Sequence, residues 1–85
     1  MHVQLYSKDN CPYCSKAVAL LNSLGIAYEE QKLGVHFTRE MLLEQYPSAK
    51  TFPVVVVDGM HIGGYNELYE EAKSFTSNAR LFLKE

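Results

Sequence analysis

Apolar residues recur along this chain with two different periods. From Val3 to Tyr6 they alternate with polar ones, Val3 and Leu5 falling on one face, which predicts a short strand. After the polar turn Ser7-Lys8-Asp9-Asn10 the period lengthens. Beginning at Pro12, the residues Ala17, Leu20, Leu21 and Leu24 share one helical stripe, and Gly25 is placed to stop that helix in left-handed geometry. Ile26 to Gln31 reads as a second strand, with Ile26 and Tyr28 on one face and polar residues beyond, as suits a sheet edge. Phe37 to Tyr46 is helical again, with Thr38 as N-cap, Phe37 placed to staple onto Leu42, and Pro47 closing it. Four β-branched residues in a row, Val54 to Val57, mark a strand buried on both faces. Asp58-Gly59 turns the chain into Met60-His61-Ile62, and Gly63-Gly64 ends that strand. Asn66 can cap a third helix carrying Leu68, Ala72 and Phe75 on one stripe, and a short terminal helix is expected from Ala79 to Leu83.

This order predicts a right-handed βαβ crossover, hence two parallel strands, followed by an antiparallel hairpin: an α/β fold with a four-stranded mixed sheet covered by helices. The 85 residues form one domain, 1–85, whose 47% hydrophobic content fills a single modest core. Composition then narrows the function. Eight Lys and Arg against ten Asp and Glu leave a charge of -2 and no basic run, which argues against a nucleic-acid partner. The longest apolar run, Ala17 to Leu21, is far short of the ~20 residues of a membrane span. The N-terminal stretch is polar where a secretory signal would be apolar, so the expectation is an intracellular, cytoplasmic chain with no membrane partner.

The two cysteines, Cys11 and Cys14, carry the chemistry. An inert disulfide is a poor account of them, because such bonds are rare in reducing cytosol and closing so short a loop constrains the unfolded chain by only about 2 kcal/mol. A zinc site needs about four ligands and would have to recruit two of His2, His36 and His61, none at ligand spacing, so no metal is expected. A CxxC that opens the helix of a βαβ unit is instead a redox signature. Cys11 falls at the helix N-cap, where unpaired N–H groups and the positive end of the helix dipole favour a thiolate, and Pro12 removes a donor that would have lacked a partner anyway. Cys14, one turn inside, is placed to attack a mixed disulfide on Cys11. Cys11 is thus the candidate nucleophile and Cys14 the candidate resolver.

Cys11-Pro12-Tyr13-Cys14, then Thr51-Phe52-Pro53, then Gly63-Gly64 before a helix start, resemble in that order the motifs of a dithiol glutaredoxin, from about Val3 to Ala72 and in a compact length similar to bacterial and bacteriophage members. The resemblance implies a thioredoxin fold with strand order 2-1-3-4. It implies two-electron disulfide exchange with glutathione as co-substrate and no permanently bound cofactor. It also implies partners that are disulfide-containing or glutathionylated proteins, a ribonucleotide reductase among them, and a monomer that exposes its site. Pro53 matches the family's cis-proline, which would turn the Phe52 backbone toward glutathione's cysteine as a short added strand, with Thr51 beside it. The alternative is a trans proline opening a strand. Gly64, Tyr65 and Asn66 form the helix start that would hold the γ-glutamyl carboxylate. Where the family commonly has an acidic pair for the γ-glutamyl ammonium this chain has Asn66-Glu67, so that Asn66 loses the charge and Glu67 alone can supply it.

Lys8 lies where similar proteins keep a cation for the glycyl carboxylate and the thiolate, and Tyr13 would pack over the tripeptide. Arg39 and Lys50 could add positive potential. Phe52 replaces the more usual valine, which narrows the groove or adds an aromatic contact for a protein substrate; His61 is expected to be a strand residue with its ring at the surface. The Asn66 departure keeps a second reading open, a redoxin of the same fold reduced by a thioredoxin reductase. A non-enzymatic carrier of an iron–sulfur cluster is a third, against which Pro12 argues by stiffening the loop.

Overall fold

A computed structural model describes residues 2–73. Its elements are β1 (Val3–Ser7), α1 (Pro12–Ser23), β2 (Tyr28–Lys32), α2 (Arg39–Gln45), β3 (Val54–Val57) and β4 (Met60–Gly63), followed by a helix over 65–73, α3. Phe75 and the expected terminal helix Ala79 to Leu83 lie outside the described residues. No described helix is long and apolar enough to cross a membrane.

The strands make one sheet in the order β2-β1-β3-β4. β1 runs parallel to β2, with Val3 opposite Tyr28, and antiparallel to β3, with Leu5 opposite Val55; β3 and β4 form the antiparallel hairpin. This is the thioredoxin-type order that the motifs imply.

Alternation along the two central strands divides the core between the faces of the sheet. Val3, Leu5 and Val55 point to one face, where Ala17 and Leu21 of α1 and Leu68 of α3 cover them. Tyr6, Val54 and Val56 point to the other, against Phe37, Ala49 and Leu42 of α2. The valine run is buried on both faces because β3 lies inside the sheet, flanked by β1 and β4. Phe37 and Leu42 share the second cluster, as a hydrophobic staple requires, and Thr38 caps α2 by accepting the Met41 N–H at 3.2 Å.

The starts of β2 and α3 differ from the sequence pattern, and backbone hydrogen bonds explain both. β2 begins at Tyr28, because Ile26 belongs to the end of α1: its N–H reaches the Leu21 carbonyl at 3.0 Å and the Gly25 N–H reaches that of Asn22 at 3.1 Å. These two bonds make a Schellman motif with Gly25 at φ 69°, and Ile26 packs on the same cluster as Leu21. β4 ends at the glycine pair as the sequence predicts, with Gly63 its last residue, paired with Val55. Asn66 is not the cap of α3. The helix starts two residues earlier, at 65, with Gly64 as its cap, since the Gly64 carbonyl accepts the Leu68 N–H at 3.0 Å.

Leu5 is fully buried at the centre of the sheet, whereas Leu43 on α2 is 40% exposed. Leu5→Ala is expected to lower unfolding free energy by about 3 kcal/mol, and Leu43→Ala by no more than about 0.5, in urea denaturation. Equal losses would mean that the core does not centre on β1.

Candidate active site

The chain leaves β1 at Ser7 and reaches α1 through Asn10, which adopts positive φ (56°) and turns the backbone so that Cys11 is extended at φ -122°, ψ 98°. Cys11 is the N-cap of α1. Its Sγ accepts the Cys14 N–H at 3.2 Å, its carbonyl accepts the Ser15 N–H at 3.2 Å, and Pro12 occupies the first helical position. No acidic side chain lies in the first turn, so the positive helix end is not neutralised from within the helix. Cys11 and Cys14 are joined in a disulfide, with Cα atoms 5.2 Å apart. Cys14 is buried at 4% exposure, while Cys11 is only half-buried and presents the accessible sulfur.

Two concavities flank this pair. The larger, about 900 Å³, opens toward β2 and contains both cysteines, Lys8, Val18, Asn22, Glu30 and Lys32. Its charges are partly satisfied: Lys32 pairs with Asp9 at 3.1 Å, and Glu30 accepts the hydroxyl of the buried Ser7 at 2.8 Å. The smaller, about 330 Å³, opens toward β3 and α3 and is lined by Tyr13, Thr51, Phe52, Pro53, Gly64, Tyr65, Asn66 and Glu67. The residues singled out in the sequence as ligand contacts therefore converge on one groove, except Lys8, which lines the larger concavity and stands over the Phe52 ring at the groove's edge. The Phe52-Pro53 bond is cis, and Pro53 is fully buried. α3 starts so close to this loop that a Cβ on Gly64 would sit 3.2 Å from the Pro53 carbonyl oxygen, a close approach that glycine accommodates without displacing the loop.

Glu67 is engaged differently from the sequence reading. Its Oε1 accepts the Gly64 N–H at 2.7 Å, the return half of a capping box, so the carboxylate lies on the start of its own helix. That bond, together with its own backbone N–H, holds the Glu67 carboxyl below the usual carboxylate range, and the nearby His61 pulls the same way. Of the other candidates, Arg39 stands over the Phe52 ring, 5.7 Å from its centroid, as does Lys8 at 5.7 Å. Lys50 lines a neighbouring cavity with Ser48, His61 and Gly63. His61 sits half-exposed on β4 against the Tyr46 ring, with Nδ1 3.2 Å from the Ser48 hydroxyl. His2 pairs with Glu29, and His36 accepts the Lys32 N–H, so the three histidines are dispersed. No group of three potential metal ligands exists among the described residues.

One feature escaped the sequence reading. Tyr13, Tyr65 and Tyr69 form a row with ring centroids 6.0 and 6.2 Å apart, Lys16 over the Tyr13 ring at 5.0 Å and Lys73 over Tyr69 at 5.0 Å. The spacing of Tyr65 and Tyr69, four residues apart on a helix, was a readable signal. That Tyr13 continues the row depends on how α1 and α3 lie side by side on the sheet.

A dithiol at the open end of a helix, on a sheet of order β2-β1-β3-β4 and beside a cis-proline loop, defines a thiol–disulfide oxidoreductase of the thioredoxin fold. The glutaredoxin family model matches residues 3–62. Glutaredoxin 1 of Rickettsia bellii is 42% identical over 72 residues, covering 78% of this chain and 71% of the relative, and glutaredoxin 3 of Escherichia coli K12 is 34% identical over 68 residues, covering 80% and 82%. Among solved structures, glutaredoxin 1 of Francisella tularensis superposes with a TM-score of 0.73 at 25% identity, covering 89% of this chain and 96% of that one. Buckwheat glutaredoxin, solved as a glutathione complex, superposes with 0.71 at 28% identity, covering 85% and 68%. The chain belongs to the glutaredoxin family.

Because the folded-state carboxyl of Glu67 ionises below its ordinary range, its cap contributes stability above that range and loses it as pH falls through the lowered value. Glu67→Gln is expected to melt about 2 °C below wild type at pH 7 and to converge with it under acid conditions. A gap independent of pH would show that the carboxylate charge is not what holds Gly64.

Proposed function

We propose that the protein is a glutathione-dependent disulfide oxidoreductase acting on protein disulfides and glutathione mixed disulfides. The observation that carries this reading is the convergence of Tyr13, Thr51, Phe52, Pro53 and the start of α3 on one groove beside an accessible Cys11. Lys8, one residue beyond β1, faces the same sulfur from the larger concavity.

In the proposed cycle the Cys11 thiolate attacks one sulfur of a target disulfide, forming a mixed disulfide and expelling the other sulfur as a thiolate. Cys14 loses its proton and attacks the Cys11 sulfur, releasing the target as a dithiol and leaving the Cys11–Cys14 disulfide. One glutathione thiolate then opens that bond to give a Cys11–glutathione disulfide and a free Cys14, and a second removes the first as glutathione disulfide. Two electrons pass from two glutathiones to the target. On a glutathionylated target Cys11 suffices, taking the glutathione and yielding it to a second one. The burial of Cys14 supports this division, because it limits Cys14 to attacking the neighbouring sulfur.

In this reading the cis-proline loop offers the Phe52 backbone to glutathione's cysteine as a short strand, and the Gly64-Tyr65-Asn66 helix start receives the γ-glutamyl carboxylate. Glu67 would leave Gly64 to meet the ammonium. Lys8 takes the glycyl carboxylate and Tyr13 covers the tripeptide. Protein partners are disulfide-bearing or glutathionylated chains, the disulfide of a ribonucleotide reductase among those the family suggests.

The engagement of Glu67 by Gly64, with the uncharged Asn66 before it, favours a second reading in which thioredoxin reductase supplies the electrons. The test is NADPH consumption with glutathione, glutathione reductase and hydroxyethyl disulfide. Turnover is expected in wild type and only background in Cys11→Ser. Folded wild type that turns over with thioredoxin reductase alone would replace the glutathione reading with the second. In the same assays Cys14→Ser is expected to keep deglutathionylation and lose reduction of a protein disulfide; loss of both would remove the resolver assignment.

A further inference from the structure

Phe52 does more in this structure than line the groove. The Lys8 ammonium and the Arg39 guanidinium each lie 5.7 Å from the centroid of its ring, within the range at which a cation is attracted to the ring's negative face. They come from distant parts of the chain, one from the loop after β1 and the other from the first residue of α2. Two like charges drawn to one ring repel each other, so something must hold them there. Among the described residues neither has a carboxylate within salt-bridge distance, in contrast to Lys32 and Lys73, which pair with Asp9 and Glu70. The ring itself is fixed from behind: Phe37, a buried member of the α2-side cluster, lies 6.3 Å away, and Phe52 packs against that cluster. Phe52 also immediately precedes the cis bond to the buried Pro53, so its backbone is held by that loop, and Lys8 over its ring lines the same concavity as Cys11.

We propose that Phe52 is a positioning residue that gathers Lys8 and Arg39 into one cationic rim beside Cys11, biasing that thiol toward anionic reaction partners. An aromatic ring suits this purpose better than a carboxylate would. A carboxylate would hold both cations and cancel the charge, whereas a ring attracts them through its quadrupole and leaves their net charge intact. The rim then acts on whatever approaches the sulfur, raising the local concentration of anions over neutral molecules in a way that salt screens. Among the described residues Arg39 lines neither concavity, so its part in the rim depends on the ring alone.

The inference rests on Cys11 being the reacting thiol, as proposed above, but its test uses no glutathione, so the two can fail separately. Reduced protein in a Cys14→Ser background is alkylated in parallel with iodoacetate and iodoacetamide. In each reaction the Cys11 sulfur displaces iodide and forms a thioether. Both reagents meet the same thiolate, so the ratio of the two rates cancels its degree of ionisation and reads the local potential. Phe52→Leu, which keeps an apolar side chain against Phe37, is expected to lower the iodoacetate-to-iodoacetamide ratio about threefold, and Phe52→Tyr to retain it. Lys8→Gln and Arg39→Gln, both exposed, should each lower it, and about 1 M salt should erase the differences. A ratio unchanged in Phe52→Leu, or a Tyr variant as low as the Leu variant, would overturn the role of the ring. An Arg39→Gln ratio equal to wild type would overturn the rim.

Discussion

A sulfur atom occupies the position where a helix N-cap ordinarily places an oxygen, and much of the site follows from that. The Cys14 N–H donates to Cys11 Sγ at 3.2 Å, so the same contact that closes the first turn of α1 also holds the reacting atom against the positive end of the helix. Because Pro12 contributes no N–H and the first turn carries no acid, nothing in the helix itself competes for or neutralises that end. The separation of three positions then hides Cys14 beneath the turn while leaving Cys11 half-exposed. Accessibility and electrostatics thereby assign different work to two chemically identical side chains.

This end of α1 is held in place by the sheet. Ala17 and Leu21 bury the helix on Val3, Leu5 and Val55, so the disulfide is presented where β1 ends and β3 begins. β3 enters through the cis Phe52-Pro53 bond, and α3 begins close enough to the Pro53 carbonyl that a side chain at Gly64 would crowd it. The groove is thus assembled from three chain segments that meet only because β1 and β3 are neighbours. The two helices on one face and the single helix on the other also fix where charge gathers: α2 delivers Arg39 to the Phe52 ring, and the loop after β1 delivers Lys8 to it.

Most of this organisation was legible in the sequence because it rests on local chemistry. Proline before a helix, glycine after one, an Asp-Gly turn and a run of β-branched residues each specify backbone geometry within a few residues. The roles of Cys11 and Cys14 follow from position on a helix, which is also local. The parts misread were contests between local signals settled by partners elsewhere. Asn66 is a good N-cap in isolation, but Glu67 reaching back to Gly64 starts α3 two residues earlier. Ile26 looks like strand, but its N–H and side chain complete the end of α1. The tyrosine row and the sharing of one ring by Lys8 and Arg39 had no local signature joining their members, since both unite residues far apart in the chain.

The account depends above all on the end of α1 stabilising the Cys11 thiolate. The most direct measurement is a thiolate absorbance titration of the reduced protein, with Cys14→Ser to isolate one sulfur. The account predicts that Cys11 ionises well below the value of about 8.5 found for a free cysteine. Ionisation at or above that value, in folded protein, would contradict it, and the nucleophile would have to owe its reactivity to something other than its place at the helix start.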